Sequence, residues 1–96
     1  MKLDELYQII CARRDQPSEK SYTTQLMQAG EDEILKKIGE EAIEVVLAGK
    51  GQGNERLIEE VADLAYHSLV LLAFRGLTPA AIEEELDRRH KKKSGV

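Results

Sequence analysis

The sequence predicts an all-α protein: four or five helices packed as an antiparallel bundle and completed by dimerisation. Three observations carry this expectation. Apolar residues recur at helical spacing along most of the chain, and no alternating stretch supports a strand. Glycines and prolines cluster at a few places that divide the chain into segments of helical length. Finally, 96 residues make one domain, 1–96, with a core modest enough that association with a second copy is expected.

Residues 2 to 13 carry Leu3, Leu6, Ile9 and Ile10 on one helical face and form the first helix. The polar run RDQPSEKS follows, and Ser21 or Thr23 caps a short second helix that ends near Gly30. Glu31, Asp32 and Glu33 then place three acids on the first turn of a third helix, where the helix dipole favours them. That helix runs to about Ala48 and stops at GKGQG, residues 49 to 53. A fourth helix extends from about Asn54 to Arg75, with Gly76 placed to close it in the left-handed conformation. Thr78 and Pro79 form a cap and first-turn pair for a last helix. It reaches into the basic tail RRHKKK at 88 to 93, and the sequence leaves open whether residues 88–96 are ordered. Short connections favour antiparallel neighbours, and there are too few repeats for a solenoid.

Composition narrows the function. With 42% hydrophobic and 33% charged residues the chain suits a soluble helical domain rather than a disordered one. Four aromatic residues, no tryptophan and a formal charge of -4 argue against a nucleic-acid partner. The most apolar run, LAYHSLVLLAF, has 11 residues, against the roughly 20 that span a bilayer, and reads as a buried helix. A lone Cys11 forms no intramolecular disulfide, nothing near Met1 reads as a signal peptide, and a cytoplasmic location is expected. Cys11 itself reads as apolar filler.

The carboxylates of GEEAIEVV, residues 39 to 46, lie against an apolar stripe. With Glu41 at zero on a helical wheel, Ile34, Ile38 and Val45 fall within about 60° on one side and Glu44 about 60° away on the other. The fourth helix repeats the arrangement. Around Glu60, Leu57, Leu64 and Leu71 lie within about 60° on one side, with Asp63 on the other, followed by Val70 and Phe74.

If the third and fourth helices form a hairpin turning near residue 51, both acidic pairs sit roughly 13 to 16 Å from the turn. Four acids then converge. Two readings stand: a solvated face, or a site where burial and mutual repulsion of the carboxylates are relieved by a divalent cation. Oxygen ligands select hard ions, and magnesium takes a few carboxylates together with water and substrate phosphates. The spacing i, i+3 puts both oxygens of each pair on one helix face.

Other residues are candidates for phosphate or second contacts. His67 lies one turn after Asp63 and either touches a ligand or is a hydrogen-bonded core histidine. Lys36 and Lys37 precede the acids. Arg13, Arg14 and Lys20 flank SEKSYT, where hydroxyls and cations can grip a phosphate, although that segment is equally a helix cap.

The runs SYTTQLMQAGEDEILKKIGEEAIEVVLAGKG and LIEEVADLAYHSLVLLAFRGL closely resemble the phosphoribosyl-ATP pyrophosphohydrolase family, within the all-α MazG-like nucleotide pyrophosphohydrolases. The signature EExxE…ExxD is met by Glu40, Glu41 and Glu44, then Glu60 and Asp63, and the likeness extends from about Leu3 to His90. The resemblance implies hydrolysis of the α–β phosphoanhydride of 1-(5-phosphoribosyl)-ATP, the second step of histidine biosynthesis, with magnesium. It implies that Glu41, Glu44, Glu60 and Asp63 are catalytic metal ligands. Glu40, about 100° from Glu41, either acts through water or faces solvent.

Ser21, Tyr22, Thr23, Lys36, Lys37, His67, Arg13 and Arg75 are the candidates for substrate binding. Two chains completing one site as a homodimer or higher assembly are also implied. A fused cyclohydrolase, which many relatives carry, has no room in 96 residues and is expected on a separate protein. The competing reading is a related enzyme that acts on other nucleoside triphosphates.

Overall fold

A computed structural model describes residues 1–92 and 96 and shows five helices, with no strand among the described residues. They are α1 (Leu3–Asp15), α2 (Tyr22–Ala29), α3 (Glu31–Gly51), α4 (Asn54–Phe74) and α5 (Pro79–His90). Two 21-residue helices, α3 and α4, pack along each other as an antiparallel hairpin, and α1 and α2 cover one end of it. No helix is long and apolar enough to cross a membrane among the described residues.

Local chemistry accounts for the boundaries. α1 continues past Arg13 to Asp15, where the Gln16 N–H still bonds to Ala12 O at 2.8 Å. Pro17 then removes the helical conformation from the residue before it. Ser21 is the cap of α2: its Oγ accepts the Thr24 N–H at 3.2 Å. Glu31, Asp32 and Glu33 occupy the first turn of α3 as expected.

The end of α3 differs from the expectation. Helix continues through Gly49 and Gly51, and the Gln52 N–H closes on Ala48 O at 3.1 Å. Glycine lowers helix propensity without forbidding helix, and packing of α3 on α4 carries the helix through. The reversal falls at Gln52 and Gly53, where Gly53 has φ +88 and ψ 164, a conformation that side chains with a Cβ avoid.

Gly76 closes α4 as expected, with φ +71 and the Leu77 N–H reaching back to Leu72 O at 2.8 Å. Thr78 stands at the cap of α5 in an extended conformation, but its side chain makes no capping bond; Pro79 and the Thr78 backbone start the helix. Of the tail, Arg88, Arg89 and His90 form the last turn of α5, while residues 93 to 95 lie outside the described residues.

The core is Tyr7, Ile10, Leu26, Ile34, Leu69, Val70 and Ala73, drawn from α1 to α4, with Cys11 packed against it. Polar ties lock the same end: the Tyr7 hydroxyl donates to Leu77 O, and Arg14 Nη1 donates to Ala73 O at 2.7 Å. α5 buries no residue and leans Ile82 and Leu86 over an apolar cleft with Leu3, Leu69 and Leu72.

A single chain leaves much of its apolar surface bare. It exposes 6960 Å², where a monomer of this mass typically exposes about 5,500 Å². Its radius of gyration is 14.9 Å against about 12.5 Å for a compact domain of this length. On the hairpin itself Ile43, Val46, Leu47, Ile58 and Val61 are all 47% or more exposed.

Candidate active site

The hairpin decides where the acids fall. Measured from the Gln52–Gly53 reversal, the Glu41/Glu44 pair lies about 15 Å along α3 and the Glu60/Asp63 pair about 13 to 14 Å along α4. Level on adjacent helices, they share one cleft of about 520 Å³, lined by Glu40, Glu41, Glu44, Arg56, Glu60 and Asp63. Glu41, Glu60 and Asp63 each bring a carboxylate oxygen within 4.8 Å of the others. Glu44 and Glu40 line the wall without joining that trio.

Burial is uneven across the trio. Glu60 is 3% exposed, Glu41 is half-buried and Asp63 is exposed, so the expectation that all four acids face the interior is corrected at Asp63. The reason is its wheel position: about 60° from Glu60, it faces the open side of the cleft rather than the helix contact.

Burial raises the Glu60 carboxyl above its ordinary value, and Asp63 and Glu41 add to the rise through their charges and a Glu41 hydrogen bond. Arg56 opposes the rise, its Nη2 lying 2.9 Å from Glu60 Oε1. Five carboxylates thus face one guanidinium across the cleft. An all-oxygen donor set with excess negative charge, one member of it desolvated, fits a hard divalent cation.

A second layer of side chains docks α2 beside this cleft. His67 is 5% exposed, and its Nδ1–H donates to Asp63 O at 2.7 Å, since a carbonyl can only accept. Its Nε2 is then the acceptor of the Tyr22 hydroxyl at 3.2 Å. Thr23, 8% exposed, shares a hydrogen bond with the Tyr66 hydroxyl, and the Tyr66 ring meets His67 edge-on with centroids 5.0 Å apart. Thr23 and His67 are therefore engaged in holding α2 to α4, while Ser21 is engaged as the cap of α2.

Tyr22 and Lys37 line a neighbouring cleft of about 200 Å³. Lys37 Nζ lies 3.6 Å from Glu40 Oε1, which places this cation at the edge of the acidic cleft. The Tyr22 hydroxyl and Glu40 both hold the Lys37 ammonium above its ordinary value.

Three expected substrate contacts are not brought to the acids. Lys36 projects from α3 about 140° away from Glu41. Arg13 lines a different cleft of about 300 Å³, with Pro17, Met27 and Phe74. Arg75 pairs with Glu31 at the far end of the hairpin, about 18 Å along α4 from Asp63. Arg56, which is not among the sequence-based candidates, does line the acidic cleft. Its signal was the i, i+4 spacing to Glu60 on one helix face.

Residues 3–90 match the family model described as phosphoribosyl-ATP pyrophosphohydrolase. The chain is 55% identical over 87 residues to the phosphoribosyl-ATP pyrophosphatase of Trichlorobacter lovleyi, covering 91% of this chain and 81% of that protein. It is 52% identical over 90 residues to the enzyme of that name from Pelotomaculum thermopropionicum, covering 94% and 92%. It is also 49% identical over 89 residues to that of Sulfurisphaera tokodaii, covering 93% and 95%.

The raised Glu60 carboxyl has a measurable consequence. Because the folded chain holds this proton more tightly than the unfolded one, stability is lost as pH rises from the ordinary value of 4.5 through the raised one. In a chelating buffer, thermal unfolding of Glu60→Gln should fall less than wild type over that interval; parallel profiles would contradict the assignment.

Proposed function

The chain belongs to the phosphoribosyl-ATP pyrophosphohydrolase family, and we propose that its acidic cleft is where that family's reaction takes place in this protein. The reaction is hydrolysis of 1-(5-phosphoribosyl)-ATP to 1-(5-phosphoribosyl)-AMP and pyrophosphate, in histidine biosynthesis. Water adds to the α phosphorus while the bond to the bridging oxygen breaks. Pyrophosphate leaves with that oxygen, and one proton is released.

The observation that carries the site assignment is the convergence of Glu41, Glu60 and Asp63 within 4.8 Å. These three would hold Mg²⁺, with Glu44 completing the carboxylate wall. A divalent cation bound there supplies neutralisation of phosphate oxygens for an in-line displacement. Glu60 would anchor the group from the buried side of the cleft. Asp63 and Glu41 present their oxygens toward the open cleft, where the triphosphate enters. Glu40 holds Lys37 at the rim, and Lys37 with Tyr22 meets the substrate there.

Ser21, Thr23 and His67 act through position: Ser21 caps α2, and the Thr23–Tyr66 and Tyr22–His67 bonds hold α2 against α4, where His67 also bonds to Asp63 O. The cytoplasmic location expected above belongs to the same proposal, and rests on a lone free Cys11.

The partner is a second copy of the chain. Exposed Ile43, Val46 and Ile58 on the hairpin, together with the excess surface of the isolated chain, support this. The excess is roughly 1,400 Å², more than the about 800 Å² per partner of a standard interface.

Two experiments test these statements. Glu41→Gln should keep its helical circular dichroism and lose at least about a hundredfold in Mg²⁺-dependent pyrophosphate release, since a ligand charge is gone. Undiminished turnover would remove Glu41 from the site, and a preference of wild type for simple nucleoside triphosphates over phosphoribosyl-ATP would favour the competing substrate class. Val46→Asp should shift sedimentation toward monomer at micromolar concentration; an unchanged dimer would place the interface elsewhere.

A further inference from the structure

Arg56 is electrostatically out of place on its own helix. It is the third residue of α4, in the first turn, where the positive end of the helix dipole disfavours a cation. Two carboxylates of the same helix hold it: Nη2 lies 2.9 Å from Glu60 Oε1 in the cleft, and Nη1 lies 3.8 Å from Glu59 Oε1 outside it. The Glu60 side chain is 4% exposed, while that of Arg56 is 47% exposed, so the guanidinium is the solvent-accessible member of the pair. It is also the one cation among the six residues lining the acidic cleft.

We propose that Arg56 is an exchangeable counter-ion: it competes with a divalent cation for Glu60 and, on giving way, binds a phosphate oxygen of the nucleotide. The proposal rests on the metal-site reading above and adds a residue to it. With a divalent cation on Glu60, Arg56 would lose the negative charge that attracts it and would be repelled by the cation. The half-exposed side chain then turns within the same cleft, where the incoming triphosphate offers new anionic partners. A guanidinium suits this role because its planar fork donates two N–H bonds to phosphate as readily as to carboxylate. The exchange keeps the Arg56 charge paired at each stage, to a carboxylate before binding and to phosphate after it.

Mn²⁺ titration calorimetry without nucleotide, followed by steady-state kinetics, tests this on the intact protein. Removing one unit charge beside the site in Arg56→Gln should tighten Mn²⁺ binding on the order of tenfold. It should also raise KM for phosphoribosyl-ATP more than it lowers kcat. Arg56→Lys keeps the charge without the fork, so its Mn²⁺ affinity should stay near wild type while its KM rises; it also covers the case in which the glutamine variant fails to fold. Equal or weaker Mn²⁺ binding in Arg56→Gln overturns the competition, and an unchanged KM in both variants overturns the phosphate contact. Wild-type protein that takes up no Mn²⁺ overturns the metal reading and this proposal together, whereas uptake with equal affinity in wild type and variant overturns this proposal alone.

Discussion

The structure turns on a carboxylate that the fold keeps out of water. Glu60 is buried in the α3–α4 contact with Glu41 and Asp63 within 4.8 Å, and one guanidinium offsets the trio incompletely. Desolvation and like charge both oppose ionisation there, as the raised Glu60 carboxyl records. Such a cost is tolerable only because the hairpin is secured elsewhere, by the apolar cluster around Ile10, Ile34 and Val70 at the opposite end. Stability and chemistry are thus divided along the length of two helices.

That division explains the residues that surround the acids without lining their cleft. The Ser21 cap sets the start of α2; Tyr22 and Thr23 then reach His67 and Tyr66 on α4. His67 in turn bonds to the carbonyl of Asp63. Displacing α2 would take the partners of buried Thr23 and of His67 Nε2, each at a cost of about 1 to 3 kcal/mol if left buried and unpaired. The arrangement ties the backbone at Asp63 to a second helix, and precise placement of a carboxylate depends on such support.

Much of this was legible in the sequence, because the deciding signals are local. Periodicity, the acidic first turn of α3 and the left-handed Gly76 mark the helices; equal distances from the hairpin reversal bring Glu41 to Glu60 and Asp63. What escaped depends on tertiary contact. Gly49 and Gly51 read as a stop, yet packing on α4 keeps both helical. Arg75 and Arg13 look like phosphate ligands in composition, but chain path sends one to Glu31 and the other to a separate cleft. Asp63 opens to solvent while its neighbour one turn away is sealed, a difference set by where α3 crosses α4. Arg56 was hidden by its position in an exposed first turn, where a cation usually signifies nothing.

The bare outer face of the hairpin and the acidic cleft belong to the same two helices, so association with a second copy would bear directly on the geometry of the site. The central claim, that Glu41, Glu60 and Asp63 converge to hold a divalent cation, is tested most directly by anomalous diffraction from crystals grown with Mn²⁺. An anomalous peak within coordinating distance of carboxylate oxygens from all three residues is the predicted result. Well-ordered side chains with no peak between them, or a peak held by other residues, would contradict it.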